Sequence, residues 1–341
     1  MNRIRVGVVG LNFGSWMIEH ELLVGEGAAC IEIVAVCDLQ TDKVAFWSAR
    51  LAVPGYTNLH DILQQSNIQA IALFTGPVGR SLLIQQIIDS GRDVITTKPF
   101  DGDMNAAQTV LHAAIAARRV VHLNSPPPQM TPDIAQLHTW MTKYDLGRPI
   151  AYRATTWCSY REVPDGSWYD DPQRCPVAPI FRLGIYLIND LSWFFTHVQD
   201  VSVMQSRVFT QRPTADNAQL SVQYTNGAIG SVFASFCIAD QQYYRCALEM
   251  NFANGTLYRN VGPFTLGSEV QLSLVTVQGG DQRIINAQTP PQGAGYQWRA
   301  FQRAVWQSEG MTEAYAERIL TGLQVINAMQ RAISPESGVC Q

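Results

Sequence analysis

The chain has 341 residues, of which 47% are hydrophobic and 15% charged, and its formal net charge is −4. This length is sufficient for two domains, each with its own hydrophobic core. A weakly acidic, sparsely charged chain gives no reason to expect a nucleic-acid partner or an anionic membrane surface. No apolar run approaches the ~20 residues that span a bilayer, and no signal-peptide layout precedes the first strand, so we expect a cytoplasmic protein.

The cysteines and histidines show no metal-binding spacing. Seven cysteines are scattered without a C-x-x-C pair, and the six histidines include no H-x-x-x-H pair. This pattern favours buried or unreactive thiols over disulfides or a metal site, and we expect no structural metal. The cysteines are Cys30, Cys37, Cys158, Cys175, Cys237, Cys246 and Cys340.

The amino end of the chain has the pattern of a nucleotide-binding unit. Residues 4–9 are almost all apolar and rich in β-branched side chains, which predicts a central parallel strand buried on both faces. A glycine-containing turn at residues 10–15 follows directly and leads into a predicted helix at 16–23. The first backbone amides of such a helix are suited to bind a diphosphate.

The glycine pattern of this turn departs from the usual G-x-G-x-x-G/A. Its three motif positions hold Gly10, Asn12 and Ser15, while Gly14 is out of phase. Asparagine tolerates positive φ better than other non-glycine residues and serine is small, so we expect the turn to keep its shape. The candidate cofactor-binding residues of the turn are Gly10, Asn12, Phe13 and Gly14.

A second apolar strand at residues 31–37 ends in Asp38. A carboxylate here can accept a hydrogen bond from a ribose 2′-hydroxyl and would repel a 2′-phosphate, so we expect NAD rather than NADP. Asp38 lies 28 residues past Gly10, against roughly 20 in the motif, and we attribute the excess to a longer loop at residues 25–27. The alternative role for Asp38 is a helix-capping carboxylate.

Strand and helix continue to alternate up to residue 123. Thr41 is suited to cap a helix at 41–50, and Asp103 a later helix of small residues. Strands joined by helical crossovers predict an α/β fold with a doubly wound parallel sheet of six strands and a ligand at their carboxyl ends. The other predicted elements are strands at 70–74, 94–98 and 120–123, the last with His122 as its one polar residue, and a helix at 78–90.

Consecutive prolines at 126–128 interrupt this alternation, because proline neither continues a helix nor donates to a sheet. We therefore predict an NAD(P)-binding Rossmann domain at 1–124 and a substrate-binding and oligomerisation α/β domain at 125–341. Asn226-Gly227 is a hairpin signal, so an open, mostly antiparallel sheet is expected there. Its predicted strands lie at 150–157, 201–209, 218–224, 228–236, 246–252 and 270–277, with helices at 131–143, 298–306 and 313–333.

Three features together resemble the glucose-fructose oxidoreductase and inositol dehydrogenase family, Gfo/Idh/MocA. They are the nucleotide-binding pattern, the pair Lys98-Pro99 at the end of the strand predicted at 94–98, which is the fifth of the six, and a helix start around Tyr186. Family members commonly have Thr-Pro-Asn after the fourth strand, Glu-Lys-Pro after the fifth, and Asp-x-Gly-x-His or Asp-x-Gly-x-Tyr in the second domain. The corresponding residues here are Thr75-Gly76-Pro77, Thr97-Lys98-Pro99 and Arg182-Leu183-Gly184-Ile185-Tyr186.

The resemblance covers nearly the whole chain and implies a fold, a reaction and residue roles. The family's usual reaction is reversible hydride transfer between NAD(P) and a carbinol of a sugar or cyclitol, and the open sheet often forms the oligomer contact, so we expect a homodimer or homotetramer. Lys98 is then the catalytic lysine and Tyr186 the acid or base. The family aspartate has no counterpart, because Arg182 stands in its place. Thr75, Gly76, Pro77 and Lys98 join the candidate cofactor-binding residues.

Oxidising a carbinol requires a stabiliser for the developing alkoxide and a base within hydrogen-bond reach. Lys98 suits the first need, and two cations, Lys98 and Arg182, would favour the phenolate of Tyr186. Arg182 would either tune the tyrosine or bind an anionic group of the substrate. The alternatives are a surface lysine, a core aromatic residue, and an arginine that pairs with Asp170, Asp171 or Asp190.

An irregular stretch between the first strand and the Tyr186 helix of the second domain is rich in aromatic residues. Aromatic rings stack on sugar faces, and loops on a rigid scaffold often carry binding groups, so the stretch is a candidate saccharide pocket. The alternative is a loop folded on its own aromatic side chains, or an oligomer contact. The candidate substrate-binding residues are Tyr160, Arg161, Trp168, Tyr169 and Arg182.

The hypothesis favoured by these residues is an NAD-dependent oxidoreductase that acts on a carbinol of a sugar, sugar derivative or cyclitol. A second hypothesis is a glycoside hydrolase or lyase that uses tightly held NAD transiently. A third is a sugar- or nucleotide-binding protein with altered catalysis, suggested by Arg182 and by the incomplete glycine pattern.

Overall fold

The computed structural model of the protein describes residues 2–240, 245–262, 269–290 and 295–333. The chain divides into two compact units, Met1–Gln129 with Ala294–Leu320, and Met130–Gly293 with Thr321–Gln341. The six cysteines within the described residues are free thiols, and Cys340 lies outside the described residues.

The two units differ from the predicted division after residue 124, because the segment 294–320 belongs to the first unit. The helix Trp298–Gln307 buries Trp298, Phe301 and Ala304 in the same apolar core as the first strand. The indole Nε1 of Trp298 also donates a hydrogen bond to Glu21, at 2.9 Å. No feature of the local sequence indicates that this helix packs in the core of the first unit.

Within the described part of the first unit, six strands form a parallel sheet in the order β3–β2–β1–β4–β5–β6. This confirms the predicted doubly wound sheet. The strand order reverses beside β1, and in such sheets ligands bind at the carboxyl ends of the strands next to the reversal. The strands are β1 (Ile4–Val9), β2 (Ile31–Cys37), β3 (Gly55–Tyr56), β4 (Ala70–Leu73), β5 (Asp93–Thr96) and β6 (Val121–Leu123).

The helices that follow these strands begin close to their predicted positions. Asp103 caps its helix as predicted, since its carboxylate accepts from the amides of Asn105 and Ala106. Thr41 does not cap; it is the first helical residue and Gln40 is the N-cap. The helices are α1 (Phe13–Met17), continued by a π-helical turn (Ile18–Leu22), α2 (Gly25–Cys30), α3 (Thr41–Leu51), α4 (Leu59–Leu63), α5 (Arg80–Asp89) and α6 (Met104–Ala116).

The residues expected to form a longer loop, 25–27, instead begin α2. Helix α2 approaches the preceding turn so closely that a Cβ at Gly27 would lie 2.0 Å from the carbonyl oxygen of Glu21. Only glycine fits this contact. The extra residues before β2 therefore form a packed helix, which accounts for the long spacing between Gly10 and Asp38.

His122, in the middle of β6, is buried between aromatic rings. Its ring centroid lies 5.5 Å from that of Phe301 and 6.1 Å from that of Tyr315, and only 8% of the residue is exposed. Burial lowers the pKa of His122 to about 3. The folded protein thus holds this imidazole neutral, whereas the unfolded chain protonates it near pH ~6.5.

We expect His122 to make the first unit sensitive to acid. Because the pKa of His122 is lower in the folded state, the neutral imidazole makes its full contribution to the free energy of unfolding above pH ~6.5. That contribution, on the order of a few kcal/mol, is lost as pH falls towards 3. His122→Phe should therefore lose less stability than the natural protein between pH 7 and pH 4, measured by urea unfolding. The exposed His112 on α6 is the matched control, and His112→Phe should keep the natural pH dependence. Identical pH dependence in all three proteins would contradict the prediction.

In the described part of the second unit, eight strands form a sheet in the order β14–β13–β12–β11–β7–β10–β9–β8. Only the pair β7–β10 is parallel, which confirms the mostly antiparallel sheet. Gly227, at φ +84°, lies in the turn between β9 and β10, as the hairpin signal predicts. The strands are β7 (Pro149–Trp157), β8 (Val198–Ser206), β9 (Asn217–Tyr224), β10 (Ile229–Ser235), β11 (Arg245–Phe252), β12 (Gly255–Arg259), β13 (Val270–Gln278) and β14 (Asp281–Thr289).

Helices pack on one face of this sheet. They are α7 (Pro132–Lys143) and α8 (Ile185–Leu191), the latter preceded by a π-helical turn (Ile180–Gly184). The last two helices among the described residues are α9 (Trp298–Gln307) and α10 (Glu313–Ala332). The other face exposes the apolar side chains of Met204, Ile229 and Ile284. This is the face predicted to form an oligomer contact, and that contact stays a prediction. Within the described ranges, no helix combines the length and apolar character needed to cross a membrane.

Candidate active site

Gly10 joins the carboxyl ends of three neighbouring strands of the first unit. It follows β1 with φ +90°, and its amide donates to the carbonyl of Cys37 at the end of β2, at 2.8 Å. A Cβ at this position would lie 2.9 Å from the backbone of Phe74 and Thr75, which follow β4. Both the backbone conformation and the close approach therefore require glycine here. Gly14 is under no such constraint, since a Cβ there would make ordinary contacts at 3.5 Å.

Asn12 replaces the second glycine of the motif without the positive φ that we expected it to tolerate. Its φ is −74°, a helical value, and it occupies the N-cap of α1. The side-chain oxygen of Asn12 accepts a hydrogen bond from the ammonium of Lys43 on α3. The turn survives the substitution because its backbone needs no left-handed residue at this point. Phe13, the first residue of α1, is partly exposed and stacks on Trp16 with ring centroids 5.8 Å apart.

The carboxylate of Asp38 holds both the glycine turn and the start of α3. One oxygen accepts from the amide of Leu11 at 2.6 Å, and the other accepts from the amide of Gln40 at 2.9 Å. Each carboxylate oxygen accepts more than one hydrogen bond, so the half-exposed Asp38 retains acceptor capacity for a ribose hydroxyl. The turn around Gly10 and this carboxylate therefore fit a nicotinamide dinucleotide.

The loops after β4 and β5 complete the same edge of the sheet. Thr75-Gly76-Pro77 follows β4, and the hydroxyl of Thr75 is buried with no hydrogen-bond partner among the described residues. Lys98, two residues past the end of β5, is half-buried, and its amide donates to the side-chain oxygen of Asn124 at 2.8 Å. The Lys98–Pro99 peptide bond is cis. The loops thus bring Lys98 and Thr75 to the edge that carries Gly10 and Asp38.

In the second unit, Tyr186 lies in the first turn of α8 and is half-buried. An ion pair anchors the same helix one turn further on. Asp190 accepts from Arg259 at 2.7 Å, and Arg259 also pairs with Asp133 of α7 at 2.8 Å. Burial raises the pKa of Asp190 to about 6, a change that Arg259 opposes and Asp133 reinforces. These contacts fix the helix that carries Tyr186 against β12 and α7.

Arg182 is buried, with 9% exposure, and is engaged by a carboxylate. Its two terminal nitrogens donate to the two oxygens of Glu162 at 2.6 and 2.7 Å. Burial alone would lower the pKa of Arg182, but the hydrogen bonds that it donates to Glu162 outweigh this effect and raise that pKa. Hydrogen bonds and charge from Arg182 and Arg212 likewise hold the pKa of Glu162 below its usual value in spite of its burial. Arg182 is thus a permanent cation with a fixed partner.

Aromatic rings and a second arginine enclose this ion pair. The guanidinium carbon of Arg182 lies 3.7 Å from the ring centroid of Tyr169, 4.7 Å from that of Phe236 and 5.5 Å from that of Tyr160. Arg212, also buried, donates to Glu162 at 3.0 Å and to Asp170 at 2.6 Å. The irregular stretch therefore folds around two arginines and one glutamate.

The predicted substrate residues of this stretch differ in exposure and in the side chains that they contact. Tyr169 is half-buried and its ring packs against the guanidinium of Arg182. Tyr160 and Trp168 are half-buried, and Arg161 is exposed and lies over the ring of Phe209, 4.7 Å from its centroid. Asp170, one of the carboxylates predicted to pair with Arg182 in the alternative interpretation, pairs with Arg212 instead. The carboxylate that pairs with Arg182 is Glu162.

Sequence reasoning did not identify Glu162 and Arg212 as part of this region. They lie 20 and 30 residues from Arg182 in the chain, and no motif relates the three. The described part of the chain also contains no group of three or more histidine, cysteine or acidic side chains arranged to hold a metal ion.

Comparisons with known proteins agree with this architecture. Residues 4–125 match the model of the oxidoreductase family with an NAD-binding Rossmann fold, and residues 134–258 match the Gfo/Idh/MocA C-terminal domain. A comparison with curated proteins gave no match.

Solved structures share the fold over almost the whole chain at low sequence identity. A protein of Desulfitobacterium hafniense superimposes with a TM-score of 0.77 at 14% identity, covering 98% of this chain and 96% of its own. The 3-ketoreductase KijD10 of Actinomadura kijaniata, in complex with NADP, gives 0.72 at 16%, covering 97% and 98%. The WlbA dehydrogenase of Bordetella pertussis, in complex with NADH and UDP-GlcNAcA, gives 0.72 at 16%, covering 97% and 96%. With both of its domains matched, the chain belongs to the Gfo/Idh/MocA family of NAD(P)-binding oxidoreductases.

Proposed function

We propose that the protein transfers hydride between a nicotinamide dinucleotide and a carbinol of a sugar, sugar derivative or cyclitol. The observation that carries the proposal is the position of Lys98, at the same sheet edge as the Gly10 turn and Asp38. An ammonium at that edge lies where the ligands of doubly wound sheets bind. It is suited to stabilise the oxygen on which negative charge develops.

The first unit supplies the dinucleotide site. Gly10 and the turn it begins would hold the diphosphate, Asp38 would accept a hydrogen bond from the ribose, and Thr75-Gly76-Pro77 would line the same edge. A bound nicotinamide ring supplies the hydride acceptor or donor. Because the carboxylate of Asp38 opposes a 2′-phosphate, we infer a preference for NAD over NADP.

The second unit supplies the acid or base. Tyr186 receives the carbinol proton during oxidation and returns it during reduction, while Lys98 donates a hydrogen bond to the substrate oxygen. Arg182 does not act on the substrate directly in this proposal, because Glu162 and three rings enclose its guanidinium. Its role is to hold the loop that carries Tyr160 and Trp168, whose half-buried rings contact the sugar.

The related structures support both the residue types and the substrate class. WlbA was solved with the sugar nucleotide UDP-GlcNAcA, and KijD10 is a 3-ketoreductase. KijD10 was also solved with a lysine replaced by alanine and with a tyrosine replaced by phenylalanine. The residue types are those of Lys98, proposed for charge stabilisation, and Tyr186, proposed for proton transfer.

A substrate panel tests the proposed reaction. Polyols, free sugars, uronates and nucleotide-linked sugars are incubated with NAD and with NADP, and formation of reduced cofactor is followed at its absorbance band. Turnover of at least one class, lost in Lys98→Ala, is the expected result. Cofactor binding without turnover of any class would refute the oxidoreductase proposal. A chromogenic glycoside incubated in the same way, if it released its aglycone without net cofactor reduction, would identify a glycoside hydrolase or lyase instead.

Asp38 is expected to set the cofactor preference. Asp38→Ser removes the negative charge and the carboxylate acceptor, and should weaken NADH binding by roughly 10- to 100-fold, the equivalent of one charged hydrogen bond. NADPH binding should weaken less, because the repulsion of the 2′-phosphate is removed with the charge. Fluorescence titration measures both affinities. Asp42→Ser, in the exposed first turn of α3, is the matched control and should change neither affinity. Equal losses for the two cofactors would contradict the assignment.

A further inference from the structure

Arg80 is a buried cation at the start of α5, with 1% exposure. One terminal nitrogen donates to the carbonyl of Thr75, in the loop after β4. The other donates to the carbonyls of Thr97 and Pro99, and at 3.4 Å to that of Phe100, in the loop after β5. A single guanidinium thus links the two loops that border the proposed cofactor site.

The carbonyls that Arg80 binds flank Lys98 on both sides. Thr97 precedes the lysine and Pro99 follows it, so the backbone on either side of its Cα is held by the same guanidinium. The amide of Lys98 is held separately by Asn124, at 2.8 Å. With both neighbouring carbonyls and its own amide bound, the base of the Lys98 side chain has little freedom to move.

A second contact joins α5 to the same loop. The amide of Ser81, the residue after Arg80, donates to the carboxylate of Asp101 at 2.6 Å. Asp101 is buried and also accepts from the amide of Asp103 at 3.0 Å. The start of α5 therefore binds the β5 loop at two points, and the guanidinium makes the contact that lies next to Lys98.

The chemistry of arginine explains why this residue type stands here. A buried cation is costly unless its donors are bonded, and the planar guanidinium offers donors in several fixed directions. The carbonyl oxygens around Arg80 belong to two different loops, which a lysine ammonium with three donors would bind less completely. Loss of the side chain would leave these carbonyls without the donor that holds them in place.

We propose that Arg80 is a positioning residue for Lys98. It acts through the carbonyls of Thr97 and Pro99 to aim the ammonium at the cofactor edge. This inference rests on the proposed function, since the orientation of the Lys98 side chain affects the reaction only if Lys98 lies beside a nicotinamide dinucleotide. It assigns no contact between Arg80 and substrate or cofactor.

The lysine content of the chain allows Lys98 to be observed directly. The sequence contains three lysines, Lys43, Lys98 and Lys143. Reductive methylation with ¹³C-formaldehyde labels these side chains and the amino terminus, and Lys98→Arg assigns the Lys98 signal in the NMR spectrum. Lys143, in the second unit on α7, serves as the internal reference. Spectra are recorded for the full-length protein with and without NADH.

Three proteins are compared: the natural protein, Arg80→Ala and Arg92→Ala. Arg92 is the matched control, because it also donates to backbone carbonyls of the first unit, those of Ser90 and Gln65, at 3.0 and 2.8 Å. We expect one sharp Lys98 signal that shifts on NADH addition in the natural protein and in Arg92→Ala. In Arg80→Ala the signal should broaden or split and lose that shift, while the Lys143 signal stays unchanged. Both variants are expected to be less stable.

The outcomes separate this inference from the proposed function. A natural Lys98 signal and a natural response to NADH in Arg80→Ala would overturn the positioning role, whatever the loss of stability. A Lys98 signal in the natural protein that responds to neither NADH nor NADPH would refute the placement of Lys98 at the cofactor, and the effect of Arg80→Ala on that signal without cofactor would still decide the inference. If Arg80→Ala does not fold, Arg80→Gln keeps a side-chain donor without adding a labelled lysine and provides the same measurement, with a partial broadening as the expected result.

Discussion

Replacement of Lys98 by alanine is expected to lower kcat by about 10²–10³-fold, the usual effect of removing one donor to a developing oxyanion. The change should appear in kcat rather than in cofactor affinity, because the dinucleotide is held by the Gly10 turn and Asp38. The affinity for NADH is expected to change by less than about threefold, or ~0.7 kcal/mol. The measurement is steady-state turnover with the substrate that the panel identifies, together with a fluorescence titration of NADH.

Two further variants make this prediction specific. Tyr186→Phe removes the proposed proton carrier and should lower kcat by about 10²–10⁴-fold. Lys143→Ala removes a lysine of the second unit that lies near Tyr144 and should leave kcat unchanged. A Lys98→Ala protein with natural kcat would rule out the lysine as the stabiliser of the substrate oxygen. A loss in Lys98→Ala that appears only as weaker NADH binding would assign the lysine to the cofactor alone.

The first unit could be predicted in detail because its signals are local. Gly10 and Asp38 each follow a buried strand directly, and the strand pattern itself identifies the parallel sheet. The short strand β3 was counted among the six predicted strands but not located, and the strands β12 and β14 of the second unit were not predicted. Two residues give no periodicity, and a strand whose side chains are mostly exposed on both faces does not alternate.

The side chains that support the candidate site could not be predicted, because their partners are distant in the chain. Arg80 has the position of an ordinary residue in the first turn of a helix, and nothing in its neighbours indicates that it is buried under two loops. Glu162 pairs with Arg182 and with Arg212, which lie 20 and 50 residues away from it in the chain. A single sequence shows periodicity and motifs, and it carries no record of pairs separated by 20 or more residues. Buried ion pairs of this kind require coordinates.

The ion pair of Glu162 is expected to have a large effect on the stability of the second unit. Glu162→Ala would leave Arg182 and Arg212 buried without the carboxylate that they share, and the loss of one partner of a buried ion pair costs about 3–5 kcal/mol. Asp165 and Asp170 still pair with Arg212, so the uncompensated charge falls mainly on Arg182. The free energy of unfolding in urea, followed by a probe of the second unit, measures the loss.

Glu249 provides the matched control for this prediction, because it is a glutamate of the same unit in an exposed ion pair. Its partner Arg153 lies at 3.1 Å and is 70% exposed, so Glu249→Ala should cost less than about 1 kcal/mol. Glu162→Gln keeps the shape and one acceptor and should fall between the two. If instead Glu162→Gln left stability unchanged and raised the KM for the sugar substrate, Arg182 and Glu162 would belong to the substrate contact surface. The proposed division, in which Arg182 holds the loop while Tyr160 and Trp168 contact the sugar, would then be wrong.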